Sequence, residues 1–412
     1  MARTTTTAGE HSTAHGLAVT ALMMVTATLV VGQLYAYLPL LPEITAELST
    51  TASVAAWTTP AFALSQAVGL VLVGWLNQRV TGGRLFAAGM GALSIASAAT
   101  AAALMLASEE AFLLGRVAQG LAAATFPPLA IMAIVEHTSA RLRPTAVGLF
   151  SASLLMAAPL GQMLAAAVAG WWSVHGVFLA SAVSLMPIAV VLWLRRLTAA
   201  RTPRDVFDIA AVAALFHWRA LGRMYAVTLI LLMGLVFYYA AVQAGDTGVD
   251  LQLFRLLGAP AVLMTLVAGA LLYRWSAPAV QAFGFTVAAC GAVVTGLTAN
   301  GIGLQVGHWL LLGGIATAVP AVLSFMGEQP PEHRQRAIVL YTIVLFAGAS
   351  LGAPVVDAMD GQPLSVKMWL LAVVYLLATA SVGSYRWWPA RLAPARTAAG
   401  NETGQAAVED AA

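Results

Sequence analysis

Residues 111–136 read AFLLGRVAQGLAAATFPPLAIMAIVE, and this apolar stretch decides the fold class. One charged side chain, Arg116, interrupts it before the terminal Glu136. A helix needs about 20 consecutive apolar residues to cross the hydrocarbon core of a bilayer. The stretch therefore predicts a membrane-spanning helix that carries an arginine within it.

The rest of the chain shares this composition. Of 412 residues, 60% are hydrophobic and 9% are charged, and the mean hydropathy is +0.84. Soluble domains carry about 25% charged residues, so the composition excludes a water-soluble enzyme. A net charge of +3 without a basic tract argues against a nucleic-acid partner. The single cysteine, Cys290, excludes an internal disulfide framework.

Similar apolar runs predict an all-α integral membrane protein with twelve transmembrane helices. Lipid-exposed backbone must be satisfied within a helix or a closed barrel, and these runs are too long and continuous for barrel strands. The predicted limits are 17–42, 53–76, 85–107, 111–136, 144–169, 174–194, 223–244, 251–273, 276–299, 301–326, 337–357 and 364–388.

The distribution of charge gives the predicted orientation. With the N-terminus inside, 17 of the 20 basic residues fall on the inner side, and the exceptions are Arg116, Arg255 and Lys367. Cytoplasmic loops carry such an excess of Lys and Arg, so we expect both termini in the cytoplasm. Nineteen arginines against one lysine suggest a GC-rich bacterial source, and hence a bacterial inner (plasma) membrane.

Matched residues in the two halves predict an internal repeat. Gly120 and Pro127 recur as Gly313 and Pro320, both 193 residues later. We therefore expect two pseudo-symmetric six-helix bundles with the substrate path between them. The expected domains are a disordered cytoplasmic tail (1–16), a bundle (17–194), a cytoplasmic linker (195–222) with an interfacial helix (206–217), a second bundle (223–388) and a cytoplasmic tail (389–412) that is disordered from residue 394.

Two motifs resemble those of a known family. Residues 116–124, RVAQGLAAA, resemble the fourth-helix motif R-x-x-Q-G-x-x-A-A of the major facilitator superfamily. Residues 38–44, LPLLPEI, resemble the P-x-x-P signature of its twelve-span drug:proton antiporters. The resemblance covers the membrane portion and implies the major facilitator fold, alternating access and proton-driven export of a small amphipathic molecule.

Two further segments are similar to family motifs with departures. The loop 74–84 is similar to G-x-x-x-D-R-x-G-R-R, with Gln78 in place of the acidic residue. Residues 157–162, AAPLGQ, are similar to G-P-x-x-G-G. The resemblance implies coupling or gating roles for Gly74, Gln78, Arg79, Pro159, Gly161 and Arg116.

Polar side chains within spans are costly, so each is a candidate for function. Spacing groups several of them: Thr26, Gln33 and Tyr37 share one helical face, Gln119 follows Arg116 by three residues, and Tyr239 precedes Gln243 by four. We predict substrate-binding roles for Thr26, Gln33, Tyr37, Arg116, Gln119, Tyr239, Gln243 and Arg255.

Several of these residues have a structural alternative. Arg116 either faces a central cavity or snorkels towards Glu109 and Glu110, and Gln119 either meets substrate or holds the arginine. Arg255 either attracts a polar substrate or pairs with Asp246 or Asp250.

Other residues are candidates for gating or for loosening helices. His308 is either solvated near the outer surface or a titrating group, and Glu136 either forms a gate ion pair near Arg141 or binds protons. Tyr238 is expected to face lipid or the interface, and Tyr35 to pack. Four prolines are expected to loosen their helices, namely Pro127, Pro159, Pro320 and Pro354.

The function predicted is a secondary active transporter, driven by protons, that exports a small amphipathic drug or metabolite. No ATP-binding loop, metal-binding helix or nucleophile elbow occurs, so we expect no enzyme activity, no cofactor and no metal. The alternatives are a sugar or metabolite symporter or facilitator, and a membrane sensor or assembly partner. The expected partners are a small-molecule substrate, protons and the lipid bilayer, with the protein monomeric.

Overall fold

The computed structural model describes residues 4–50, 57–139, 142–195, 197, 219–245, 247–298, 301–329 and 331–384. Within these residues, twelve helices are long and apolar enough to cross a membrane, which confirms the predicted number of spans. Spans 1–6 are Thr4–Tyr35, Thr58–Asn77, Gly82–Met105, Glu109–Ala123 continued by Phe126–His137, Arg143–Trp171, and Val174–Arg195. Spans 7–12 are Arg219–Ala244, Leu251–Gly258 continued by Met264–Arg274, Ala277–Thr298, Gly301–Gly327, Pro331–Ala358, and Leu364–Gly383.

The first span differs from its predicted limits at both ends. Its helix begins at Thr4, so the prediction of a disordered tail is wrong for residues 4–16. That segment contains no proline, and its backbone hydrogen bonds continue those of the span. The helix ends at Tyr35, and a 3₁₀ turn (Leu38–Leu40) with Pro39 leads into a short helix (Leu41–Glu47).

Of the four prolines expected to loosen their helices, one lies at a break. Pro127 lies in the first turn of the second helix of span 4, where the span breaks. Pro159, Pro320 and Pro354 lie inside helices that continue past them, because one lost backbone donor leaves the flanking hydrogen bonds intact. Span 8 has an unpredicted break, a 3₁₀ segment (Ala259–Leu263) that contains Pro260. The predicted helix 206–217 and tail 389–412 lie outside the described residues.

The spans form two bundles that repeat one packing pattern. In the first half, span 1 packs against span 5, span 2 against span 4, and span 3 against spans 4 and 6. The second half repeats each pair: span 7 against span 11, span 8 against span 10, and span 9 against spans 10 and 12. Between the halves, span 2 packs against span 11 and span 5 against span 8, which are also equivalent pairs.

Glycines allow helices to approach each other closely within each half. A Cβ atom added to Gly161 in span 5 would lie 2.5 Å from the Gly32 Cα of span 1. In the second half, a Cβ at Gly352 in span 11 would lie 2.7 Å from the carbonyl oxygen of Met233 in span 7. Small residues allow such backbone approach in membranes, where no hydrophobic effect drives helices together.

The helix ends divide by charge, and we name the two ends of the bundle accordingly. The acidic end carries Glu43, Glu109, Glu110, Asp357 and Asp360. The basic end carries Arg79, Arg84, Arg195 and Arg274. Cys290 lies in span 9 and is exposed.

Candidate functional site

Arg116 is fully buried and joins three spans of the first half. Its Nη1 donates to Gln119 Oε1 over 2.7 Å, and its Nη2 donates to the carbonyl oxygen of Gln33 in span 1 over 3.0 Å. Its Nε makes a longer contact of 3.4 Å with the carbonyl oxygen of Thr58 in span 2. The guanidinium carbon lies 4.6 Å from the centre of the Phe62 ring. The hydrogen bonds of Arg116 therefore depend on the relative positions of spans 1, 2 and 4.

A chain of side chains extends this site to span 3. Gln119 Nε2 donates to Ser97 Oγ over 3.0 Å, and Ser97 Oγ lies 3.2 Å from Gln33 Oε1. The predicted shared face of Arg116 and Gln119 is confirmed, and Gln119 holds the arginine. We name Arg116, Gln119, Ser97 and Gln33 the arginine cluster.

The arginine cluster contains no carboxylate among the residues that the structure describes. The alternative in which Arg116 snorkels to Glu109 or Glu110 is wrong, because the guanidinium points into the bundle. Glu109 Oε2 instead accepts a hydrogen bond of 2.8 Å from Thr50, and Glu110 is exposed. Neutral oxygens alone satisfy this buried cation, which is a costly arrangement in a membrane and makes Arg116 a candidate functional residue.

His308 forms a second buried cluster in the other half. Its Nε2 lies 3.1 Å from the Tyr239 hydroxyl of span 7, and its ring stacks on Phe254 of span 8 at 4.2 Å. Tyr238 also stacks on the imidazole, at 5.7 Å, and its hydroxyl lies 3.2 Å from Thr295 Oγ1. We name His308, Tyr238, Tyr239 and Phe254 the histidine cluster.

The histidine cluster corrects two predictions. His308 is fully buried and not solvated, and Tyr238 is fully buried and does not face lipid. Both outcomes have one cause, because span 10 turns His308 towards spans 7 and 8. A single sequence does not show that rotation.

The two clusters occupy equivalent places in the two halves. Arg116 lies on span 4 and contacts spans 1 and 2. His308 lies on span 10 and contacts the equivalent spans 7 and 8. In each half, a buried ionisable side chain thus lies at the junction of the same three helices.

Arg255 and Gln243 form a third pair near the acidic end. Arg255 is 2% exposed, and its Nη2 donates to Gln243 Oε1 over 2.6 Å. The alternative of a direct ion pair with Asp250 is not found; Asp250 Oδ1 instead caps span 8 by accepting from the backbone of Gln252 and Leu253. Asp246 lies outside the described residues.

Two cavities lie between the halves at the acidic end. The first, of about 430 Å³, is lined by the end of span 1 and by spans 7, 11 and 12; we name it the lysine cavity, after Lys367. The second, of about 560 Å³, is lined by Glu43 and Glu47 of the first half and by Arg255 of the second. Gln243 lines both cavities, so it forms part of the wall between them.

Comparison with known proteins identifies the family. The family model of the Major Facilitator Superfamily matches residues 23–353. The chain belongs to the major facilitator superfamily. It is therefore a multi-pass membrane transporter by family, with the twelve spans and two bundles described above.

Solved structures share this fold at low sequence identity. One is a bacterial homolog of the human lysosomal transporter Spinster, in an inward-facing and unoccupied conformation, with 15% identity and a TM-score of 0.65. The alignment covers 91% of this transporter and 99% of that chain. Another is the proton:xylose symporter XylE bound to 6-bromo-6-deoxy-D-glucose, with 15% identity, a TM-score of 0.68, and coverage of 90% and 96%. No curated protein sequence matches the chain.

The polar stripe predicted in span 1 does not face one cavity in this transporter. Thr26 is fully buried and its Oγ1 bonds to the Leu22 carbonyl oxygen over 2.7 Å. Gln33 lines a groove of about 200 Å³ between spans 1, 5 and 6, whereas Tyr37 lines the lysine cavity. Tyr37 separates from the other two because the helix ends at Tyr35, before it reaches Tyr37.

The residues implied in gating lie apart from both clusters. Gly74 is buried near the end of span 2, and Arg79 is exposed with its guanidinium 3.9 Å from the Trp75 ring. Gln78 follows the last residue of that helix. These three lie at the basic end.

The remaining gating candidates are also dispersed. Glu136 is exposed at the basic end beside His137, whose ring lies 5.2 Å from that of His15. Its expected neighbour Arg141 lies outside the described residues. Pro159 and Gly161 lie within span 5, where Gly161 contacts span 1.

Sequence reasoning missed several residues of these sites. Ser97 and Phe254 lie in apolar spans where serine and phenylalanine are common, so no signal distinguished them. Lys367 stood out in the sequence only as an exception to the charge pattern. It is the one lysine of the chain, and its position at the start of an apolar run was a usable signal.

Proposed function

We propose that this transporter is a proton-coupled secondary carrier that exports a small amphipathic molecule by alternating access. The observation that carries the proposal is the equivalent placement of Arg116 and His308, each buried where three spans of its half meet. Two halves that rock about a central path are the usual basis of alternating access in this architecture.

His308 is the proposed site of proton binding. Imidazole is the side chain whose charge ordinarily changes between pH 5 and 8. Protonation of a fully buried ring creates a charge inside the bundle, which favours any conformation that exposes or pairs it. The contact between His308 and Tyr239 joins span 10 to span 7, so protonation acts on the packing of two helices.

Arg116 is the proposed coupling residue of the other half. Two of its three hydrogen-bond acceptors are backbone carbonyl oxygens of spans 1 and 2. A backbone acceptor moves with its helix and cannot follow the guanidinium by changing rotamer. Movement of span 1 against span 4 therefore changes how the buried charge is satisfied.

The proposed orientation places the basic end in the cytoplasm of a bacterial inner membrane, with both termini on that side. The positive-inside rule supports this placement. The two cavities between the halves would then open towards the outside, where an exporter releases its substrate.

Flux of a dye across vesicle membranes tests the proposal. Purified protein is reconstituted in liposomes with a fluorescent amphipathic dye, and a pH gradient is imposed. We expect dye transport against the proton flow that collapses on addition of an uncoupler. Flux in the direction of the protons would favour symport, and flux that persists without a gradient would favour a facilitator. Absence of flux for every tested compound would favour a sensor or an assembly partner.

A further inference from the structure

Lys367 lies buried in the lysine cavity without a partner. It is the only lysine in the sequence and is 5% exposed, at the first turn of span 12. Its ammonium makes no hydrogen bond or ion pair with any residue that the structure describes. An unpaired charge on a buried residue costs more than the same charge with an anionic partner. A ligand bound in the cavity would therefore satisfy Lys367 if it carried an anionic group.

Two carboxylates line the same cavity. Asp357 and Asp360 lie at the end of span 11, where Asp357 is half-buried and Asp360 is exposed. Within the described part of the chain, neither side chain has a hydrogen bond or an ion pair. The wall from the second half thus presents one ammonium and two carboxylates, all of them unpaired.

The opposite wall is mainly apolar and comes from the first half. Leu38 and Leu41 line this wall. On the other wall, Val356 of span 11 adds apolar surface next to the charges. A volume of about 430 Å³ is within the usual range for small-molecule sites, roughly 300–1,000 Å³. The complementary ligand has an anionic group, a cationic group and an apolar body.

We propose that the lysine cavity binds a small amphipathic zwitterion. Its carboxylate pairs with Lys367, its ammonium lies against Asp357 and Asp360, and its apolar body packs on Leu38 and Leu41. This inference rests on the proposed function only where it treats the zwitterion as the transported substrate; binding in the cavity does not depend on it. Because both halves line the cavity, a bound ligand contacts the surfaces that separate when the halves move.

Three probes with one apolar body test the charge requirement. L-phenylalanine carries both charges, its methyl ester carries only the ammonium, and N-acetyl-L-phenylalanine carries only the carboxylate. Binding to the purified full-length protein in detergent is measured by calorimetry. We expect L-phenylalanine to bind about tenfold more tightly than either derivative, because each lost contact is a charge-assisted hydrogen bond.

Variants assign each preference to its residue. Lys367→Gln should remove the preference for L-phenylalanine over the methyl ester and keep the preference over the N-acetyl compound. Asp357→Asn combined with Asp360→Asn should do the reverse. Glu110→Gln, an exposed acid at the same end that does not line the cavity, serves as the matched control and should change neither.

Several results would overturn the proposal. Equal binding of the three probes, binding of none, or an unchanged preference in Lys367→Gln would each do so. If Lys367→Gln fails to fold, the aspartate variants decide the question alone. Dye transport without zwitterion binding would reject this site and leave the proposed function standing. Zwitterion binding without any flux would retain the site and reject the transport mechanism.

Discussion

Arg116 and His308 differ in what burial allows them to do. A guanidinium stays charged in proteins, so Arg116 is a fixed cation that must always be surrounded by acceptors. An imidazole can be neutral, so His308 can remain buried without charge and gain one by binding a proton. In the proposed mechanism, Arg116 therefore supplies a fixed charge in one half, and His308 supplies a switchable charge in the other.

Arg116→Ala should abolish transport while leaving membrane insertion intact. The change leaves the buried acceptors on Gln33, Gln119 and Thr58 without their donor, at a cost of about 1–3 kcal/mol for such a group. Vesicle flux gives the transport rate, and gel filtration confirms the fold. Arg195→Ala, at an exposed arginine, is the control. Wild-type flux in Arg116→Ala would remove Arg116 from the mechanism.

His308→Gln should uncouple substrate movement from protons. Flux driven by a pH gradient should fall to background, whereas exchange of labelled for unlabelled substrate, which needs no proton movement, should persist. Tyr238→Phe is the matched control, because its hydroxyl contacts Thr295 and not His308. Gradient-driven flux that survives in His308→Gln would move the proton site elsewhere.

For individual side chains, contacts within one helix were predictable from the sequence, and contacts between helices were not. The pairing of Arg116 with Gln119 follows from a three-residue spacing on one helix. The contact of Arg116 with the Thr58 carbonyl depends on how spans 2 and 4 pack. Lys367 lines its cavity because of how spans 7, 11 and 12 pack together. No local sequence pattern predicts that packing.

Among the helices, spans 1 and 5 make a contact that leaves no room for an added side chain. Gly161 and Gly32 approach backbone to backbone, so neither can accept a side chain without moving a helix. Hydropathy predicted all twelve spans because span length is a local property set by the bilayer. It did not predict the break in span 8, since a proline in a span can be tolerated or can end the helix.

Gly161→Ala should destabilise the protein. Its new Cβ would lie 2.5 Å from the Gly32 Cα, and overpacking of this kind typically costs about 1–3 kcal/mol. A thermal unfolding experiment in detergent should show a lower midpoint. Gly170→Ala is a matched control in the same helix, because its new Cβ would meet no atom of a neighbouring helix within 4 Å. Equal midpoints for the two variants would show that spans 1 and 5 separate easily.

In the whole molecule, the interface between the halves consists of equivalent pairs. Span 2 meets span 11 as span 8 meets span 5, so the two contacts are related by the same repeat that relates the halves. A matched glycine and a matched proline at one offset predicted this repeat from the sequence. The choice of spans at the interface was not predictable, because it depends on which helix faces are exposed after each half has folded.

The orientation can be measured with single cysteines. In a Cys290→Ser background no other cysteine remains, so Glu110→Cys and Arg84→Cys each introduce one reactive thiol. Both residues are exposed, at the acidic and basic ends respectively. We expect a membrane-impermeant maleimide to label Glu110→Cys in intact cells, and Arg84→Cys only after permeabilisation. The opposite pattern would invert the transporter in the membrane.

The glycine contacts inside each half also bear on the heat and entropy of the transport cycle. A glycine has no rotamers, so the contacts of Gly32 with Gly161 and of Gly352 with span 7 fix no side-chain freedom when they form. Side chains instead form the contacts between spans 2 and 11 and between spans 5 and 8, where the proposed movement of the halves would give them new neighbours. If the halves move as rigid bodies, as the proposed mechanism requires, we expect the temperature dependence of switching to arise mainly at these two contacts between the halves.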